Sequence, residues 1–203
     1  YLPHEAPHVP FQGRNDPSYR FSDNKFTYHG PVEDRDRAYN EMVEVMDENI
    51  GLVVQKIRDL GLEENTLIVF ISDNGAEPFG HNGNLRGAKV SLFEGGHRVP
   101  AIAYWKDKIA SGVSDELVMS FDWLPTFLAQ ACIQPSKNVV LDGIDLSDHL
   151  LKQDTLPSRN LYWRYRNQKV VRQDHYKLML TQSDTLLFDL EQDLEEQNNL
   201  INN

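Results

Sequence analysis

Residues 66–100 read TLIVFISDNGAEPFGHNGNLRGAKVSLFEGGHRVP, and this stretch constrains the fold more than any other. Five consecutive apolar residues, Leu67 to Ile71, stop abruptly at Ser72-Asp73-Asn74-Gly75. A short apolar run bounded by turn formers predicts a strand buried on both faces. In open α/β sheets ligands gather at the carboxyl ends of strands, so Asp73 and Asn74 stand where chemistry is usually placed. A carboxylate beside an amide oxygen suits a hard cation such as Ca²⁺ or Mg²⁺. Asp-Asn-Gly also makes an ordinary turn, and both readings stand on the residues alone. Six glycines between Gly75 and Gly96 let the backbone pack closely, and the same segment carries Lys89, Glu94 and Arg98.

A chain of 203 residues is long enough to bury a real core. Its net charge of −11, without a basic cluster, argues against a nucleic-acid partner. An anionic substrate stays open, because a few local cations and a metal set the field of one pocket. No apolar run reaches the ~18 residues of a membrane span. Cys132 is the sole cysteine, which excludes an internal disulfide. Tyr1 replaces the usual Met and no signal-peptide pattern is visible, so the expectation is the C-terminal part of something longer.

In chain order, Tyr1 and Leu2 read as the tail of a strand, followed by a loop with His4, His8 and three prolines. Residues 12–33 lack periodicity, which marks either a functional loop or a disordered one. Tyr19, Phe21, Phe26, Tyr28 and His29 within it either line a substrate entrance or tether the loop to the core. Tyr39, Met42, Val43, Met46, Ile50, Val53, Ile57 and Leu60 recur at helical steps, with Glu33-Asp34 at the start and Gly61 as the stop. Asp47 and Glu48 on this helix read as solvated or capping residues. The helix leads into the strand ending before Asp73, an α-then-β step of a doubly wound sheet. Residues 100–105 predict a second buried strand. Residues 120–131 predict a helix with Asp122 as N-cap and Pro125 in the first turn. Residues 134–160 read as turn-rich. Runs at 161–165, 169–173, 176–181 and 185–190 predict an antiparallel meander.

Five separated motifs, APHVP, NTLIVFISDNG, RGAK with EGGHRVP, FDWLPTFLA and LFDLEQDLEEQNNL, occur in one order. Together they resemble the second half of the sulfatase family, the arylsulfatase-like branch of the alkaline phosphatase superfamily. The resemblance implies an α/β fold: the C-terminal portion of a doubly wound sheet sandwiched by helices over 1–150, then a small antiparallel β subdomain over 151–203. It also implies hydrolysis of a sulfate monoester, on a sugar or an aryl group, by a formylglycine nucleophile with Ca²⁺. Asp73 and Asn74 match the family's second-half metal pair. Lys89 in Arg-Gly-x-Lys matches its sulfate-binding lysine, near the ester oxygen, and His8 in Pro-His-x-Pro matches a sulfate-contacting histidine. These two carry the catalytic assignment. His81, between the metal pair and Lys89, is a candidate substrate contact, and His4 has no counterpart. Glu94, Arg98 and Gly95-Gly96 read as structural, with Arg98 paired to Glu94 or Asp73.

The formylglycine motif, Cys/Ser-x-Pro-x-Arg, is absent. Cys132-Ile133-Gln134-Pro135 puts proline one place late, and Thr155-Leu156-Pro157-Ser158-Arg159 starts with the wrong residue and reads as a turn into the meander. The chain is therefore expected to supply part of an active site and to need a missing N-terminal half of the same protein. Family resemblance implies a periplasmic, lysosomal or secreted setting. Two rivals remain: a phosphonate or phosphate ester hydrolase of the same superfamily, and a non-catalytic fragment or binding module.

Overall fold

The computed structural model describes residues 1–17, 34–77 and 80–201. Of the loop expected at 12–33, the part from residue 18 onward, with Tyr19, Phe21, Phe26, Tyr28 and His29, lies outside the described residues. The described residues form two compact units, Tyr1–Glu63 with Ala76–His81, and Glu64–Gly75 with Asn82–Asn203.

The first unit is built on α1, Arg35–Asp59, which matches the predicted helix. Its end is a Schellman turn: Gly61 at φ +65° donates to Arg58 O (2.9 Å) and Leu62 N–H to Ile57 O (3.0 Å). Gly61 stops the helix because its conformation is one that a Cβ disfavours. The N-terminal segment lays Val9 and Phe11 against Ala38, Tyr39 and Met42, with the Phe11 and Tyr39 rings edge-on at 5.4 Å. The far half of the apolar stripe is not buried in this unit, for Val53 and Leu60 are exposed. Glu48 binds Arg14 at 2.6 Å on the surface, the solvated role expected of it.

In the second unit, β1, Ile68–Ile71, pairs antiparallel with β2, Ala101–Tyr104. Both strands were expected to be buried on both faces, and neither is. Ile71, Ile102 and Tyr104 are exposed, because among the described residues this sheet has two strands and no layer on each face. Between them lies α2, the single turn Glu94–His97. The helix predicted at 120–131 appears as a 3₁₀ turn, Ser120–Asp122, running into α3, Trp123–Gln130, with Pro125 in its first turn. Asp122 occupies the N-cap position without capping the helix. Its buried carboxylate instead takes both Nη atoms of Arg159 (2.7 and 2.5 Å) and the amides of Met119 and Ile144. Residues 134–160 hold more than turns: α4, Ser147–Lys152, is a short helix whose six residues give too little periodicity to read.

The C-terminal meander is as predicted. Strands β3 (Asn160–Tyr165), β4 (Gln168–Gln173), β5 (Tyr176–Leu180) and β6 (Thr185–Asp189) pair in sequence order, all antiparallel. Val170 and Met179 from its inner face pack against Leu92, with Phe93, Trp163 and Leu186 around them.

Candidate active site

The turn after β1 is drawn in by main-chain bonds. Ser72 N–H extends the β1–β2 ladder to Pro100 O (3.2 Å), and the Ser72 hydroxyl donates to Asn74 O (3.0 Å). The Asn74 side-chain amide donates to Asp73 Oδ2 (2.5 Å), which sets the carboxylate and carboxamide side by side. Asp73 is exposed and Asn74 half-buried. Adjacent carboxylate and amide oxygens at a strand end are hard donors that fit Ca²⁺ or Mg²⁺. They are two side chains where Ca²⁺ takes about six to eight oxygens, so they amount to part of a site.

Three segments interlock around α2. Gly75 N–H donates to Gly96 O (2.9 Å), and Gly95 N–H to Arg86 O (2.7 Å). A methyl group on Gly75 would overlap the Gly95 carbonyl oxygen, and one on Gly95 would overlap the carbonyl oxygens of Gly87 and Arg86. Backbone meets backbone here, so glycine is required by space rather than by conformation. The Asp73-Asn74 turn and the loop bearing Lys89 are thus fastened to the same helical turn. Ser91 N–H donates to Ala88 O (3.1 Å), closing a turn around half-buried Lys89 and exposed Val90. Val90 sits at φ +67°, a left-handed conformation costing a β-branched residue about 1–3 kcal/mol and found where surroundings dictate the backbone.

His8 and His81 belong to the first unit, and both are exposed. The His8 ring Nδ1 is 2.9 Å from Val9 O and its backbone N–H donates to Glu5 O (2.7 Å), between two cis peptides, Ala6-Pro7 and Val9-Pro10. The second unit therefore brings together three of the predicted site residues, Asp73, Asn74 and Lys89, around α2.

The expected Arg98–Glu94 ion pair is present, but it is long and half-exposed on the Arg98 side, and it is not the closest contact Glu94 makes. Arg98 Nη1 is 3.7 Å from Glu94 Oε2 and its side chain is 42% exposed. Glu94 is fully buried and its close partners come from the meander: Lys177 Nζ at 2.9 Å and Arg172 Nη1 at 3.2 Å. Burial pushes the Glu94 carboxyl up, but Lys177 and Arg172 outweigh it and hold the group below its ordinary value. Neighbouring His97 stacks on Trp163 at 5.0 Å. Burial, then the charge of Lys177, depresses its pKa, which keeps the ring neutral. Sequence reading missed Lys177 because its partner lies 83 residues away. One signal was present: strand alternation in Tyr-Lys-Leu-Met-Leu puts Lys177 on the same inward face as Met179.

The Sulfatase family model matches residues 1–133. The chain belongs to the sulfatase family. This sulfatase is 33% identical to bovine arylsulfatase A over 99% of its own length and 43% of the relative's. It is 44% identical to human arylsulfatase A over 58% of the chain and 24% of the relative, and 35% identical to mouse N-acetylgalactosamine-6-sulfatase over 70% and 29%. The chain thus spans less than half of these curated relatives. Among solved structures, Ps i-CgsB in complex with k-i-k-neocarrahexaose superposes with a TM-score of 0.81 at 28% identity, covering 96% of this chain and 44% of that one. The fold is alkaline-phosphatase-like, with the α/β portion and four-stranded antiparallel sheet described above.

Beginning at Arg98, the C-cap of α2, a cavity of about 650 Å³ is lined by residues that include Arg98, Arg159, Arg172, His175 and Glu191. At its edge His175, Asp189 and Glu191 place ligand atoms within 4.8 Å of one another. Neither Asp73 nor Lys89 belongs to that lining or that cluster.

Proposed function

We propose that the protein to which this chain belongs hydrolyses sulfate monoesters, on a sulfated carbohydrate or an aryl group, and that these residues supply part of its active site. The observation carrying the proposal is the α2 junction, where close-packed glycines fasten the Asp73-Asn74 turn and the Lys89 loop to one helical turn. Asp73 and Asn74 would hold Ca²⁺ through their side-chain oxygens, and a bound cation polarises sulfate oxygens. The Lys89 ammonium binds the sulfate and offers a proton donor to the departing ester oxygen. His8, in its Pro-His-x-Pro motif, is assigned to the sulfate group, and His81 to the substrate.

The nucleophile, a formylglycine in this reading, belongs to an N-terminal half that completes the site, together with further cation ligands. Residues 1–150 are read as the α/β portion and 151–203 as the β subdomain, in a periplasmic, lysosomal or extracellular protein. A carbohydrate substrate is supported by the relatives, one named an N-acetylgalactosamine-6-sulfatase and one crystallised with k-i-k-neocarrahexaose.

The test is hydrolysis of an aryl sulfate beside the matching aryl phosphate, with and without Ca²⁺, by this 203-residue chain and by a chain extended with the N-terminal half. The expected result is sulfate turnover by the extended chain alone, dependent on Ca²⁺ and reduced about 10²–10³-fold by Lys89→Ala. Turnover of phosphate alone would move the reading to the phosphatase branch. Turnover by the 203-residue chain would refute the claim that its site is partial.

A further inference from the structure

We propose that Lys177 and Glu196, on the meander and the tail behind it, are positioning residues that hold the Asp73-Asn74 turn and the Lys89 loop in register through Glu94. That these loops serve cation and sulfate rests on the function proposed above; the mechanical linkage does not.

The linkage can be followed bond by bond. Lys177 Nζ donates to Glu94 Oε1 (2.9 Å) and lies 2.8 Å from Glu196 Oε1, off the angle of a hydrogen bond, so that second contact is ionic. Glu196 Oε2 accepts the Glu94 N–H at 2.6 Å, fixing the first amide of α2. The Glu196 carbonyl accepts from Arg86 Nη1 at 2.7 Å, and Arg86 is three residues before Lys89. Arg86 also lies over the Phe93 ring at 4.0 Å, and its own carbonyl takes the Gly95 N–H. Glu196 therefore grips both α2 and the Lys89 loop, while Gly96 carries the Asp73-Asn74 turn through Gly75.

The arrangement is hard to explain as stabilisation alone. Lys177, Glu94 and Glu196 are all fully buried, and well-packed apolar residues in place of such a cluster are often neutral or stabilising. Lys177 also sits directly across the β4–β5 ladder from Arg172, a like-charge pairing that disfavours the sheet unless an anion sits between. Glu94 is that anion, and it arrives from α2 rather than from the meander. Two cations on one sheet face thus accept one placement of the α2 turn, whereas an apolar face would tolerate sliding. Geometry at a reacting centre is sensitive to shifts of about an ångström, which gives such a constraint its use.

The experiment is residue-resolved amide hydrogen exchange on the 203-residue chain, comparing the parent with Lys177→Met and with Lys177→Met/Glu196→Gln. The double variant removes one charge of each sign, leaves Glu94 facing Arg172 and keeps an oxygen at position 196 for the Glu94 N–H. In the double variant exchange at Gly75 and Gly95 is expected to quicken about tenfold or more, with β4 and β5 amides little changed. In the single variant, which strands a buried carboxylate, Gly75 and Gly95 are expected to quicken more than the β4 and β5 amides do. If the single variant does not fold, the double variant decides. Unchanged exchange at Gly75 and Gly95 overturns the inference, and so does equal loss of protection throughout β3–β6, which would mean the charges serve the meander alone. Ca²⁺ added to the chain extended with the N-terminal half, which completes the cation site, tests the other reading separately. Failure of Ca²⁺ to slow exchange at Gly75 would count against the cation site and leave the positioning inference standing.

Discussion

Each unit gathers charges around one residue, and the two clusters differ in what surrounds them. In the first unit Arg37 reaches Asp16, Asp34 and Glu41 at 2.7, 2.7 and 2.9 Å, with much of every side chain but that of Asp16 open to water. In the second, Glu94 meets Lys177 and Arg172 in a site that excludes solvent. The contact distances are nearly equal. Water screens the first cluster and solvates any member left alone, while the second offers a stranded charge nothing. Equal geometry therefore predicts unequal consequences, and the two pKa patterns agree. The three carboxylates raise the Arg37 pKa further above an already high value, with no consequence near neutral pH. Burial sets the direction at His97 and at Glu196, which it raises against the pull of Lys177, whereas at Glu94 the cations Lys177 and Arg172 outweigh it.

The sharpest way to break this contrast is Lys177→Ala. It leaves buried Glu196 without its cation and Glu94 without its closest one, and is expected to cost about 3–5 kcal/mol in urea denaturation. A loss near zero would mean the cluster is wetter than the structure has it. Arg159→Met tests a second buried pair, since Asp122 would keep its amide donors but lose a bidentate guanidinium. The expected loss is about 1.5–3 kcal/mol, and a midpoint equal to the parent's would refute the pairing.

A pH titration sharpens the comparison further. His97 has a depressed pKa in the folded chain, so below its ordinary value of 6.5 the unfolded chain binds more protons and stability falls as pH drops. Glu94, also depressed, contributes stability present above its ordinary 4.5 and lost below it. Glu196 acts oppositely, since its raised value favours the folded chain at low pH and that share is lost as pH rises above 4.5. Between neutral pH and about 5 the His97 and Glu196 shares oppose one another, so the discriminating quantity is the difference. As pH falls over that window the urea midpoint of the parent should drop relative to that of His97→Gln. An identical slope in both proteins would exclude His97 as a contributor. Smallest of all, Arg37→Ala should leave the denaturation midpoint within experimental error, because exposed ion pairs contribute little.

Much of the molecule was readable in its order of residues. Helix α1 with its Gly61 stop, the break after Ile71, and the four meander strands followed from periodicity and turn chemistry, which act over a few residues. The Asp73-Asn74 turn and the Lys89 loop were legible as motifs, and their glycines announced close packing. Burial was read less well. Ile71, Ile102 and Tyr104 have the pattern of a doubly covered sheet yet are exposed, because a strand's pattern reports the layers it is suited to. The role of Arg159 went unseen in a segment that looked like a plain turn, since Asp122 stands 37 residues away.

The sequence by itself determined the local conformations, the family membership and the pair of oxygens suited to a hard cation. Tertiary structure alone decided that Glu94 meets Lys177 and Arg172 more closely than Arg98, and that this grip reaches the Asp73-Asn74 turn. The reason is physical. Short-range patterns are written by neighbours in the chain, whereas the partner of a buried charge is chosen by whichever opposite charge the fold carries into the same dry space.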